Sequence, residues 1–288
     1  MSQLKANTST LINNPVSDLE LDSNNSVGLT VRRTVAIARN AFREAVRDRV
    51  LYNLVIFALL LIAGAIFLGE LSAGQESKII VDLGLSAMLL FGVFIAIFVG
   101  VGLVYKEIER RTLYAILSKP IGRGQFLLGK YLGLCLTLLV NVLIMGAGVS
   151  LALIYVRRGW DPLVFKIWPA ILLIYVELMI VTGVALLFST FSSPALSALL
   201  TFFVFIIGHL SADLKTLGSS AGSVAARWLF RSLYYGLPNL SNYSMITAAA
   251  HGYVPDARST VLAVAYAIFY IVVLLAGATL VFSRRNFK

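Results

Sequence analysis

Six stretches of this chain are too long and too apolar to be strands or ordinary core helices, and they decide what it can fold into. The first, "LYNLVIFALLLIAGAIFLG", occupies 51–69. The others fall at about 83–104, 130–156, 169–188, 195–212 and 260–282. A run of about 20 apolar residues crosses roughly 30 Å of hydrocarbon as a helix. In lipid the backbone must satisfy its own hydrogen bonds, which a helix does within one segment. The expected fold is an all-α polytopic membrane protein with six transmembrane helices.

Composition agrees. The chain has 288 residues, of which 59% are hydrophobic and 13% charged. A soluble domain this apolar could not cover its own surface. The net charge of +10 could suggest nucleic acid, but the basic residues cluster beside the apolar spans. That placement points to anionic headgroups and topology, with the lipid bilayer and no nucleic acid as partner. Cys135 is the single cysteine and lies within an apolar run, so no intrachain disulfide forms.

Residues 1–28 are polar, rich in Asn and Ser, and read as a disordered tail. From 29 to 50 runs "LTVRRTVAIARNAFREAVRDRV". Val31, Val35, Ala38, Phe42, Ala45 and Val46 recur at helical spacing, with arginines between them. This is a basic amphipathic helix suited to the membrane interface. Between the second and third spans, "YKEIERRTLYAILSK" reads as a short charged helix. Glu107 precedes Arg111 by four residues, the favourable order for a helical pair. Lys and Arg are about twofold denser on one side of the membrane when both termini are cytoplasmic, which sets that orientation. Arg157 and Arg158 fall on the poorer side.

"GQFLLGKY" (Gly124 to Tyr131) nearly spells the phosphate-binding loop G-x-x-x-x-G-K-[ST]. Its last position is Tyr131, whose phenol cannot replace the Mg²⁺-holding hydroxyl. Phe126, Leu127 and Leu128 are bulky where phosphate would approach, and no strand precedes. The segment reads as a loop entering a membrane helix, with Lys130 at the headgroups. No H-E-x-x-H or G-x-S-x-G constellation is present either.

Several tracts together decide the family. They are "NAFREAVRDRVLY" (Asn40 to Tyr52), "YKEIERRTLYAILSKPIGRGQFLLGKYLG" (Tyr105 to Gly133), "FSTFSSPALSALLT" (Phe188 to Thr201) and "YYGLPNLSNYSM" (Tyr234 to Met245). The chain resembles the permease subunit of type 2 ABC exporters, including a branch of copper-enzyme-maturation permeases. The resemblance implies a bacterial inner-membrane, multi-pass permease over 29–288, with a coupling helix in 105–125 that docks on a separate ATPase. Glu107, Arg110, Arg111, Leu113 and Lys119 are the implied contacts. ATP and Mg²⁺ would be bound by that partner through its phosphate-binding loop, with no cofactor in this chain. A second permease chain, identical or related, completes the transporter. The segment 213–259 is implied to form short re-entrant or interfacial helices closing an outer gate, with Trp228, Tyr234, Tyr235 and Pro238 in it.

Within the spans, Glu177 is the outstanding residue. An ionised carboxylate at mid-membrane costs roughly 2.5–3.5 kcal/mol, so it should be protonated, paired or facing water. It could line the substrate path or a dimer interface, or bond a neighbouring helix at Asn141 or Thr182. Asn141 itself reads as helix–helix glue. His209 and Asp213 stand four apart, a spacing that could share a metal, although two ligands are too few. Gly129 and Gly133 form a G-x-x-x-G pattern common by chance in such chains. Two other functions compete with transport: a membrane scaffold or anchor, and a membrane-embedded enzyme using Glu177. The enzyme would need a second acidic residue in a span, and the sequence offers none.

Overall fold

A computed structural model describes residues 15–71, 74–109, 122–220 and 223–284. The described residues are helical throughout, without strands. The helices are α1 (Pro15–Val46), α2 (Arg49–Glu70), α3 (Glu76–Glu109), α4 (Arg123–Arg157), α5 (Pro162–Lys166) and α6 (Trp168–Ser189). They continue as α7 (Pro194–His209), α8 (Ser211–Ser220), α9 (Val224–Gly236), a 3-10 turn (Ser241–Tyr243), α10 (Ile246–Ala250) and α11 (Ala257–Arg284). Five of the six apolar stretches each lie within one helix or its ends, and the stretch 195–212 is α7 up to His209, a turn at Leu210 and the start of α8. Among the described residues, four helical stretches, starting at Glu76, Arg123, Pro162 (α5 with α6) and Ala257, are long and apolar enough to cross a membrane. Of the other two, α2 is a continuous helix of 22 residues, and the apolar helix α7, Pro194–His209, is shorter. Sixteen residues rise only about 24 Å, less than the roughly 30 Å hydrocarbon core.

The centre of the bundle is α6, packed against α3, α4, α7 and α11. Leu178, Ala185 and Leu186 are fully buried on it, which is why its apolar residues cover its whole circumference and not one stripe. Gly92 of α3 lets Leu178 approach so closely that a Cβ there would meet its Cδ1 at 2.5 Å. By contrast α11 presents one buried stripe, Ala267, Ile271, Leu274, Ala278 and Phe282, at the spacing of a single helix face.

The first helix departs from expectation. It starts at Pro15, inside the stretch whose composition suggests a disordered tail. Pro is well placed in a first helical turn. The helix breaks at Val46, before α2 begins at Arg49. Its buried face takes in Ala38 and Ala45 of the expected apolar set. Val31 and Val35 are more than half exposed, while Thr34, Ala41 and Ala45 are buried. The reason lies in α4, along which α1 packs. A Cβ on Gly129 would lie 2.7 Å from Ile37, and one on Gly133 would lie 2.5 Å from the Ala38 carbonyl oxygen. The G-x-x-x-G pattern is therefore the seat of α1. Small residues let the two backbones meet, and the larger valines turn outward.

Candidate functional site

Three places carry the polar groups that a function could use. The first is the frame around the loop between α3 and α4. Arg110, Arg111, Leu113 and Lys119 lie outside the described residues, and Glu107 is in the last turn of α3. The chain on the far side of the loop is tightly tied. The Gly122 amide donates to Gln125 Oε1 at 3.3 Å, and Gln125 Nε2 reaches Thr30 Oγ1 of α1 at 3.4 Å. Arg123 Nη1 donates to the carbonyls of Phe282 and Ser283 at 3.0 and 2.8 Å. These carbonyls lie near the described end of α11, at the negative end of its dipole. The start of α4 thus holds both α1 and the end of α11.

Gly124 to Tyr131 are all within α4, so the segment resembling a phosphate-binding loop is a helix. Lys130 does not face outward. It is buried to 1% exposure and pairs with Glu44 of α1, itself 38% exposed, at 3.3 Å.

The second place is the middle of α6. Glu177 is completely buried. Its partner is neither Asn141 nor Thr182. Both bond carbonyls one turn back in their own helices, Thr137 at 2.8 Å and Leu178 at 2.8 Å. A buried side chain on a helix finds its own unused carbonyls closest to hand. Asn141 therefore does not act as glue between helices through this bond. Glu177 Oε1 lies 3.2 Å from His209 Nδ1. The two are at ion-pair distance but out of line for a hydrogen bond, and both carboxylate oxygens lack a hydrogen-bond donor. The His209 ring rests 4.9 Å from the Phe205 ring.

His209 does not pair with Asp213. The helix ends at His209, Leu210 leaves helical geometry, and Asp213 is exposed on α8. Four-residue spacing brings side chains together only within one continuous helix. Among the described residues no three His, Cys, Asp or Glu side chains converge as a metal site would need.

The third place is the connection from 210 to 256. It folds back onto the bundle beside His209. The Leu240 amide donates to the Gly208 carbonyl at 3.0 Å, and a Cβ on Gly208 would meet the Pro238 carbonyl oxygen at 2.7 Å. Asn239 takes a hydrogen bond from Ser211 Oγ at 2.5 Å, and its amide donates to Tyr266 Oη of α11 at 3.1 Å. Tyr243 is buried to 1% and donates to the Ala263 carbonyl at 2.8 Å. Its 3-10 turn packs on α6, within electrostatic reach of Glu177. Of the aromatic residues expected at a gate, Trp228 and Tyr235 are 70% and 81% exposed on α9, which buries none of its residues. Tyr234 stacks edge-on against Tyr235 at 5.2 Å, and Pro238 is buried. Exposed Val224, Trp228 and Leu229 beside Arg227 and Arg231 make α9 an amphipathic helix of the interfacial kind.

Arg157, a misfit by charge, is accounted for at this end of the bundle. Its Nε donates to Ser77 Oγ at 2.7 Å and lies 3.5 Å from Asp161. Arg158 closes α4 in the left-handed region, with φ 53°.

Comparison with known proteins places the chain among permeases. Residues 35–287 match the family described as ABC-2 family transporter protein. The chain is similar to the Probable ABC transporter permease protein NosY of Pseudomonas aeruginosa, 29% identical over 265 residues, covering 88% of this chain and 96% of that protein. It is also similar to the protein of the same name from Stutzerimonas stutzeri, 30% identical over 127 residues, covering 43% of this chain and 46% of that one.

Proposed function

This chain belongs to the ABC-2 family of transporter proteins and is the membrane permease subunit of an ABC transporter, and we propose that it exports its substrate by alternating access driven by a separate ATPase. That partner binds ATP and Mg²⁺ in its own phosphate-binding loop. The observation carrying the proposal is the family match over residues 35–287, which includes the whole charged loop after α3. The geometry around that loop supports it. A push on 110–121 arrives at Gly122 and Arg123, which are bonded to α4, and through Gln125 and Arg123 to α1 and α11. ATP can bias an inward-open against an outward-open form only if the partner contacts the two differently. Arg110 and Arg111, with Glu107, Leu113 and Lys119 around them, are the contacts we assign.

In this reading α2 and α7 also pass through the bilayer, giving six spans, with both termini on the cytoplasmic side of a bacterial inner membrane. The connection from 210 to 256 then lies outside, and its exposed aromatic residues sit at the headgroups. Two permease chains face each other. Export is the direction implied by the resemblance of Tyr105 to Gly133 to exporter permeases.

The test is co-purification with an ATPase encoded beside the gene. Wild type should bring the ATPase down and stimulate its hydrolysis. Arg110→Glu/Arg111→Glu should insert normally and lose both. Normal binding and transport by that variant would remove the coupling assignment. Failure of any ATPase to bind wild type would remove the transport proposal.

A further inference from the structure

A carboxylate at the centre of a membrane bundle needs a reason to be there. Glu177 is fully buried, with His209 Nδ1 3.2 Å away and 27% of the His209 side chain exposed. Tyr243 and, beyond it, Tyr266 are the other titratable groups on this side. With one proton between them, Glu177 and His209 are neutral overall whichever of the two holds it. That makes the site tolerable in a low-dielectric interior. A pair separated from each other would have to keep the proton on Glu177 and leave the imidazole neutral.

Its position in the chain is what gives the contact a mechanical role. Glu177 is on the best-packed helix of the bundle. His209 is the last residue of α7, which packs on α6 and α3 largely through half-buried side chains such as Val204 and Phe205. The buried residues of α7 are Ser197, Thr201 and Gly208, all small. The residue before His209 is Gly208, on whose carbonyl the returning chain at Leu240 is hydrogen-bonded, with Pro238 pressed against its Cα. The contact therefore sits at the root of the 237–243 turn.

We propose that Glu177 and His209 form a clasp inside the membrane that fixes the end of α7 to the middle of α6 and, through Gly208, holds the 237–243 turn shut against the bundle. The turn swings away only when the two side chains part. The clasp rests on the transport reading for its purpose, but not for its existence. It is measurable in the permease alone, so its failure is distinguishable from failure of ATPase binding.

The experiment uses the full chain in detergent or nanodiscs, with Cys135→Ser as background. Spin labels go on cysteines replacing exposed Leu172 of α6 and exposed Asn242 of the turn. Pulsed electron resonance then reads the distance between them. The parent should give one narrow distribution. His209→Leu should broaden it toward longer distances and lower the unfolding temperature by several degrees. Glu177→Gln, which keeps shape and hydrogen-bonding capacity but cannot carry the charge, should fall between. The double variant Glu177→Leu/His209→Leu removes both polar groups. It should unfold later than His209→Leu alone, because no unpaired carboxylate remains buried, while its distances stay broad. That double variant decides the matter if His209→Leu fails to fold. Parent-like distances in either His209→Leu or the double variant would overturn the clasp. So would a double variant no more stable than His209→Leu.

Discussion

Lys130 and Glu177 are both ionisable side chains shut inside a helix contact, and their surroundings differ in what holds the helices together. Around Lys130, α1 rests on two glycines of α4, with Ile37, Ala38 and Ala41 so close that no Cβ fits between. The Lys130–Glu44 pair closes one edge of a contact already made by backbone proximity. Around Glu177, α7 offers three small fully buried residues, and the contact with His209 stands at the helix end beside Phe205 and Leu240. The same kind of ion pair is thus an accessory in one region and a principal tie in the other. Counting salt bridges would miss that difference; the neighbouring side chains reveal it.

If backbone proximity is what seats α1, the largest loss within the α1 contact should come at Gly133. Gly133→Ala should destabilise the protein by roughly 1–3 kcal/mol, although it touches no charged group. The added carbon would lie 2.5 Å from the Ala38 oxygen, 2.6 Å from Ala41 Cβ and 3.1 Å from the Phe42 nitrogen. Two of those three atoms are backbone, which cannot rotate aside. Gly64→Ala is the control. Nothing lies within 4 Å of its added Cβ, so helix propensity alone should leave it neutral or gain up to about 1 kcal/mol. Reversible unfolding in mixed micelles measures both. Equal stability of the two variants would show that α1 is not seated on α4 through its glycines.

Lys130→Met tests whether the ion pair on α1 is only an accessory. Methionine keeps an unbranched stem of similar reach and removes the ammonium. Glu44, left behind, is more than a third exposed and can turn to water. The loss should stay below about 1 kcal/mol, as for partly exposed pairs. Stranding a shut-in carboxylate typically costs about 3–5 kcal/mol. The same unfolding assay places Lys130→Met against His209→Leu. A loss as large for the lysine as for the histidine would erase the distinction drawn between the two regions.

Much of the bundle is legible in the sequence because lipid leaves the chain few choices. The apolar stretches are helical, because an apolar run cannot hide its length, although the break at Leu210 within 195–212 is not visible in it. The charged loop after α3 and the exposed aromatic residues of α9 also stand out by composition. Contacts between segments far apart in the chain are not legible in the same way. Glu177 and His209 are separated by a hairpin, and nothing in "LIYVELMIVTG" announces an imidazole. The four-residue spacing of His209 and Asp213 misleads because the helix stops between them. Gly129 and Gly133 are visible, but a small-residue spacing gains meaning only when a partner is found. The signal for that partner is present in the small residues Ala38, Ala41 and Ala45 of α1. Val31 and Val35 of the same apolar set lie outside that contact.

The smallest expected effect comes from Arg123, which belongs to neither pair yet joins the same helices. Its guanidinium bonds two of the last carbonyls of α11, at 3.0 and 2.8 Å, and lies 6.0 Å from the centre of the Phe282 ring. A cation at a helix C-terminus contributes about 0.3–1 kcal/mol at low ionic strength, and salt screens it. Arg123→Gln should therefore cost a few tenths of a kcal/mol in dilute buffer, and the deficit should fade as salt rises toward about 1 M. Arg123→Lys keeps the charge without the fork that spans two carbonyls, and should fall between. The Gly133→Ala deficit, being steric, should not move with salt. If the Arg123→Gln deficit also ignored salt, the guanidinium would be acting through its packing on Phe282, and α11 would be held to α4 by its apolar stripe alone.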